Sequence, residues 1–346
     1  MDIYVKKAII HQFSPDDTDL YLADKFLNIT PKIEEYLRKK IERVYSDEAR
    51  TGIFEEDNPF LEMISDDLLE TSVVVANRWK EEFVVSENQK TNDLVFVEFS
   101  KEGVDHFAFL RIALRETLTH LGGEVDNPIK LTQNNLPGFG TGADEALVIN
   151  LQSRKYHLIE KRIKYNGTFL NYFSENLLQA QPKISPKKSI KALEKTAQKI
   201  AESFNTDDFQ FQSKVKSAIF NHIEEENKLS PEKLANDLFD DNLTARLSFI
   251  DQVKEAVPEP VTFEEIDASR QLKKFENQKL SLSNGIELIV PNNVYEDAES
   301  VEFILNENGT YSILIKNIED IQSTYSEDLL IHLTNIWNLQ GNSDPP

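Results

Sequence analysis

The sequence predicts an α+β protein built from a mixed α/β N-terminal domain (1–152), a helical middle domain (153–257), a small β-rich module (258–320) and a C-terminal helix and tail (321–346). Three observations carry that expectation. Strand-length apolar runs dominate the first 150 residues, a 3.6-residue apolar period dominates the middle, and Asn-Gly pairs between short apolar runs mark the end. A chain of 346 residues also exceeds the roughly 100 to 200 residues usual for one domain.

Taken in order, Asp2 to Phe13 and Asp19 to Ala23 read as strands around Ser14-Pro15-Asp16-Asp17, where Pro and Asp favour chain reversal. Thr30-Pro31 reads as an N-cap followed by proline at the first helical position. Ile33, Tyr36, Leu37, Ile41, Val44 and Tyr45 then recur at helical spacing. A second helical pattern runs from Pro59 to Phe83. Leu94 to Phe99 and Phe107 to Ala113 form a hairpin across Lys101-Glu102-Gly103. Gly122 to Gly142, with five Gly and two Pro, reads as a long loop, after which Glu145 to Leu151 returns to strand.

The stretch from Thr168 to Lys254 reads as helical throughout, with Ser185-Pro186 and Ser230-Pro231 as helix starts. Ile190, Leu193, Ala197, Ile200 and Phe204 give the first of these helices an apolar stripe, leaving Lys187, Lys188, Lys191, Lys195 and Lys199 to its other faces. Val257-Pro258-Glu259-Pro260 has the composition of a linker. Beyond it, Leu280 to Val290 contains Asn284-Gly285, and Val301 to Leu305 joins Thr310 to Ile315 through Asn308-Gly309, which is a hairpin signature. Ser326 to Leu339 reads as a terminal helix.

The composition narrows the function. The chain has no Cys, so disulfides, thiolate metal sites and cysteine nucleophiles are excluded, and a reducing, cytoplasmic compartment is expected. No apolar run approaches the roughly 20 residues needed to span a bilayer, and Met1 to Lys7 reads as a strand rather than a secretion signal. The formal charge of -22 is unevenly spread. Residues 151–200 hold eleven Lys and Arg against three Glu, a local +8, which leaves -30 on the rest. Such segregation points to a local basic surface on an acidic protein.

Several runs carry a family resemblance. Lys273-Lys274-Phe275-Glu276, Gly285-Ile286-Glu287, Val301-Glu302-Phe303 and Gly309 to Ile318 lie in the β-rich module. Ile10-His11-Gln12, Arg43-Val44-Tyr45-Ser46 and Asn171-Tyr172-Phe173-Ser174 precede them in matching order. Together these resemble the bacterial nucleoid-associated protein family of the NdpA type over roughly residues 1–320. The resemblance implies association with the chromosome and DNA as a partner, and supplies no catalytic residue. It places the protein at the nucleoid.

The candidate DNA-binding residues are Lys161, Arg162, Lys164, Lys183, Lys187, Lys188, Lys191, Lys195 and Lys199, two basic clusters able to meet one phosphate backbone without reading bases. The bland alternative is a solvated helix face or pairing with the acidic remainder of the chain. Phe169, Tyr172 and Phe173 could stack on bases, but their spacing is also that of a buried helix face. Pro137-Gly138-Phe139-Gly140-Thr141-Gly142 lacks the Lys and Ser/Thr of a phosphate loop and reads as a flexible loop. Asp16, Asp17, Asp19 and Asp24 with His11 nearby could be imagined as Mg²⁺ ligands, but turn chemistry explains Asp16, Asp17 and Asp19 more simply, and the six His show no zinc-site spacing. No cofactor, metal or catalytic residue is expected. The alternatives are an acidic adaptor that reaches the nucleoid through another chromosomal protein, and a metal-dependent enzyme acting on nucleic acid; self-association is compatible with all three.

Overall fold

A computed structural model describes residues 2–16, 19–83, 90–120, 129–165, 167–205, 209–263 and 265–321. The chain divides into two compact units, Met1–Lys273 and Lys274–Pro346. The expected segments 1–152 and 153–257 therefore both lie in the first unit, and the Val257–Pro260 stretch does not separate the units: Val257 is buried there. The expected helix at 326–339 lies outside the described residues.

The first unit is α+β. In chain order it begins with β1 (Ile3–Ser14), β2 (Asp19–Tyr21), α1 (Pro31–Glu42), β3 (Arg50–Ile53), α2 (Pro59–Glu62) and α3 (Leu68–Phe83). There follow β4 (Asn92–Lys101), β5 (Val104–Ala113), β6 (Arg115–His120), β7 (Ile129–Asn135), β8 (Glu145–Asn150) and β9 (Lys155–Ile159). One seven-stranded antiparallel sheet, in the order β2-β1-β4-β5-β8-β9-β3, organises it. Its central strands are buried on both faces, so successive side chains enter opposite cores. Phe96, Phe107, Phe109, Leu147 and Ile149 join Trp79 and Phe83 of α3 on one side. Val95, Val97, Ala108, Leu110 and Val148 join Leu37 and Ile41 of α1 on the other.

Three strands of this unit, β6, β7 and β3, escape the apolar pattern. β7 lies within the stretch read as a loop, pairing with β6 in a hairpin whose residues are mostly polar. β3 is four residues long and pairs with β9 a hundred positions away, with Gly52 opposite Tyr156. A Cβ at Gly52 would stand 2.3 Å from the Tyr156 hydroxyl, so only glycine fits this register.

The stretch read as continuously helical, 168–254, opens instead with a strand, β11 (Thr168–Leu170), paired with β10 (Ile163–Tyr165) just before it, and a π-turn at Phe173–Leu177. Its helices are α4 (Pro186–Ser203), α5 (Phe209–Glu226), α6 (Pro231–Leu238) and α7 (Leu243–Val253), the last two preceded by the short strand β12 (Lys228–Leu229). β12 pairs with β13 (Val261–Thr262), just before α8 (Glu265–Phe275). Leu193, Ala197 and Ile200 of α4 are buried, and the Phe211, Phe239 and Phe249 rings pack tilted against one another across α5, the end of α6 and α7.

The second unit contains two hairpins, β14 (Asn277–Ser281) with β15 (Glu287–Pro291), and β16 (Val301–Leu305) with β17 (Tyr311–Ile315); a single turn, α9 (Asn292–Tyr295), lies between them. Gly285 and Gly309 take positive φ in the two turns, the conformation for which the Asn-Gly pairs select. Inside it, Gln278 donates to Asn292 at 2.7 Å, and Tyr295 packs on Phe303.

Candidate nucleic-acid interface

Three backbone-directed bonds fix where α4 begins. Lys183 N–H donates to the Thr51 carbonyl at 2.7 Å, Lys187 N–H to the Asp47 carbonyl at 2.9 Å, and the Arg50 guanidinium to the Pro182 carbonyl at 3.0 Å. Pro186 occupies the first turn, where its missing N–H costs nothing. At about 100° per residue, the buried Ser189, Ile190, Leu193, Ala197, Ile200 and Ala201 share one side of α4. Lys187, Lys188, Lys191, Lys195 and Lys199 fall within an arc of about 120° on the other, and all five are exposed. The stripe runs about 18 Å along the helix at 1.5 Å per residue. Glu202 ends it.

Ion pairing divides these cations. Lys187 pairs with Glu48, Lys183 with Glu259, and Lys199 donates to Gln252 at 3.1 Å. Lys188 and Lys195 have no hydrogen-bond or ion-pair partner among the described residues. Lys191 acts on the half-buried Glu194, whose pKa burial raises while Lys216 and Lys191 pull it back.

The second basic cluster is a hairpin, not a helix. Lys161 pairs with Asp144 at 2.8 Å, while Arg162 and Lys164 are exposed and unpaired among the described residues. Lys164 stands opposite Phe169 in the β10–β11 register, and Phe169 is 63% exposed. Tyr172 and Phe173 go the other way, into the core. The aromatic trio thus splits, leaving one exposed ring beside an ammonium with no ion-pair partner among the described residues.

The two clusters approach a common cleft. Lys161 lines it, and Glu48, which holds Lys187, lines it as well. One wall is the 137–142 loop, which is tethered rather than free. Lys40 of α1 is fully buried and donates to the carbonyls of Gly138 (2.9 Å) and Thr141, while the Tyr36 hydroxyl donates to that of Pro137 at 3.0 Å. These carbonyls face an ammonium, the opposite polarity from an amide cradle for phosphate. Sequence reasoning missed Lys40, Arg43 and Arg115 because they come from separated segments; the only local signal was Arg43-Val44-Tyr45-Ser46.

The metal reading of His11 meets a specific obstacle. His11 Nδ1 accepts from Ala23 N–H at 3.0 Å, so Nε2 carries the proton and donates to Ser72 Oγ at 2.9 Å. Both nitrogens are occupied. Asp17 lies outside the described residues, and among those described no group of three or more His, Asp or Glu is placed to hold a metal ion.

A protein-family profile described as nucleoid-associated protein YejK matches residues 9–321. The chain belongs to this family. Among curated proteins none matches it. For a YejK-family protein the sharply segregated charge acquires a setting, the nucleoid, and the NdpA-type resemblance in the sequence agrees with it. No helix among the described residues is long and apolar enough to cross a membrane.

Proposed function

We propose that this nucleoid-associated protein binds DNA directly, without reading bases and without catalysis, through the exposed lysine stripe of α4. The observation that carries the reading is that Lys188 and Lys195 sit on one helix face with no hydrogen-bond or ion-pair partner among the described residues, beside Lys191, which acts on the half-buried Glu194 carboxylate. Ammonium groups left unpaired in a protein of charge -22 are available to phosphates. Lys164 and Phe169 provide a second contact of different character, a charge with a ring able to stack on an unpaired base. The -30 elsewhere confines contact to these surfaces and disfavours wrapping.

The test is a salt titration of duplex binding by the full chain and by Lys188→Glu/Lys191→Glu/Lys195→Glu. Lys187 is left alone because its reversal would set two carboxylates against each other at Glu48. Each phosphate contact contributes about 0.9 to the slope of log affinity against log salt, so the variant should lose about three units of slope. An unchanged slope would sink the assignment. Failure of the wild-type chain to bind duplex at low salt, with capture of a DNA-bound basic protein, would select the adaptor reading that the acidic remainder favours.

A further inference from the structure

We propose that the cleft between α1, the 137–144 loop and α8 binds a phosphorylated nucleoside, either as a free nucleotide or as the phosphate-bearing end of a strand. This goes beyond backbone contact at α4, because it is concave, built from different residues and suited to one ligand unit. The cleft encloses about 790 Å³, within the roughly 300 to 1,000 Å³ of small-molecule sites.

Its charges are unevenly satisfied. Four acids line it, and each is engaged. Asp144 accepts from Lys161 at 2.8 Å and from Ala113 N–H at 2.9 Å, Glu42 pairs with Arg38 at 2.9 Å, Glu48 with Lys187, and Asp47 accepts from Gln271 at 2.6 Å. Burial would raise the pKa of Asp144, yet these donors and Arg111 hold it below the ordinary value, so it stays an anion committed to its partners. The cations are not all so placed. Arg43 and Arg115 line the cleft, are exposed, and have no side-chain hydrogen bond or ion pair among the described residues.

These two guanidinium groups crowd a third cation. Burial, then Arg43 and Arg115, lower Lys40 to about 8, with Asp144 opposing. Asp144 offsets these cations only in part, so the like charges raise one another's energy, and an anion between them relieves it. Lys40 itself is committed to the loop carbonyls, so it shapes the wall and the arginines are left to bind. Their planar forks match phosphate oxygens in pairs.

Phe139 selects the nucleoside. It lines the same cleft from the tethered loop, braced edge-on by Tyr36 at 5.4 Å between centroids, and remains 37% exposed. A ring held at the rim of a phosphate-sized charge cluster offers a base a surface to stack on. Gly140 beside it has open space where a Cβ would stand, which keeps that approach clear.

The experiment is calorimetric titration of the full chain with AMP, ATP, inorganic pyrophosphate, and a short oligonucleotide with and without a 5′-phosphate. Saturable binding of AMP or ATP identifies a free nucleotide, and preference for the phosphorylated oligonucleotide identifies a strand end; either supports the proposal. Arg43→Ala and Arg115→Ala should each weaken binding about tenfold. Phe139→Leu should weaken AMP while leaving pyrophosphate unchanged. The α4 triple reversal should leave nucleotide affinity intact, which separates failure here from failure of the DNA-binding reading. The proposal is overturned if no nucleotide or phosphorylated oligonucleotide saturates the chain, if the arginine variants bind as the wild type does, or if pyrophosphate binds as tightly as ATP.

Discussion

The interior of the first unit and the outer face of α4 use charge in opposite ways. Inside, the buried Arg111–Glu145 pair is held by polar neighbours. Arg111 donates to Glu145 at 2.7 Å and to Asn92 at 2.8 Å; Tyr172 donates to the same Glu145 and accepts from Trp79 at 3.2 Å. On α4, Lys188 and Lys195 have no such partner among the described residues. A buried charge without a partner is too costly to persist, whereas an exposed one can wait for a ligand. The difference teaches which cations hold the fold and which are free to act, and it can be tested by stability alone.

The largest effect should follow Glu145→Leu. Burial raises the Glu145 pKa while Arg111 and Tyr172 pull it back, and Arg111 stays cationic. Removing the carboxylate leaves a buried guanidinium without its hydrogen-bonded carboxylate partner, for an expected loss of about 3 to 5 kcal/mol in denaturant unfolding. A loss near zero would mean that the pair is not the anchor that its geometry describes. Lys40→Met comes next. The three loop carbonyls would lose their shared donor, at about 2 kcal/mol. It should also loosen the cleft wall, seen as faster amide exchange at residues 137–142.

A smaller effect concerns pH. Burial lowers the pKa of His11 below 6.5, and its occupied Nδ1 has no room for a second proton. The unfolded chain therefore binds more protons than the folded chain as pH falls through 6.5, so stability is full above that value and declines below it. His106 shifts in the same direction, chiefly through burial. An NMR titration separates the two rings. A His11 ring that protonates at or above 6.5 would contradict the geometry.

Much of this fold was legible because apolar periodicity reports burial. The β4–β5 hairpin, α1 and the Asn-Gly hairpins of the second unit were plain for that reason. What escaped was polar, short or distant. β6 and β7 are mostly polar, so no stripe marks them, and β3 exists only because β9 lies beside it. The π-turn at Phe173 has the spacing of an ordinary helix and cannot be told from one by period. The α4 stripe was readable for the same reason as α1, since its lysines share the helical repeat. The cleft was not, since Arg43, Arg115, Lys161 and Arg270 meet only through the order of the strands.

The smallest expected effect decides most. Lys188→Ala/Lys191→Ala/Lys195→Ala should change unfolding free energy by no more than about 0.5 kcal/mol, because none of the three bonds to another described side chain. The sign should favour the variant. Lys188 lies in the first turn of α4, where the helix dipole opposes a cation, and Ala is the better helix former. A loss comparable to Lys40→Met would make the stripe structural and remove the contrast with the interior. A variant as stable as the wild type that has lost duplex binding would instead mean that these lysines are kept against a small cost to the helix, and a residue so kept is there for a partner outside the chain.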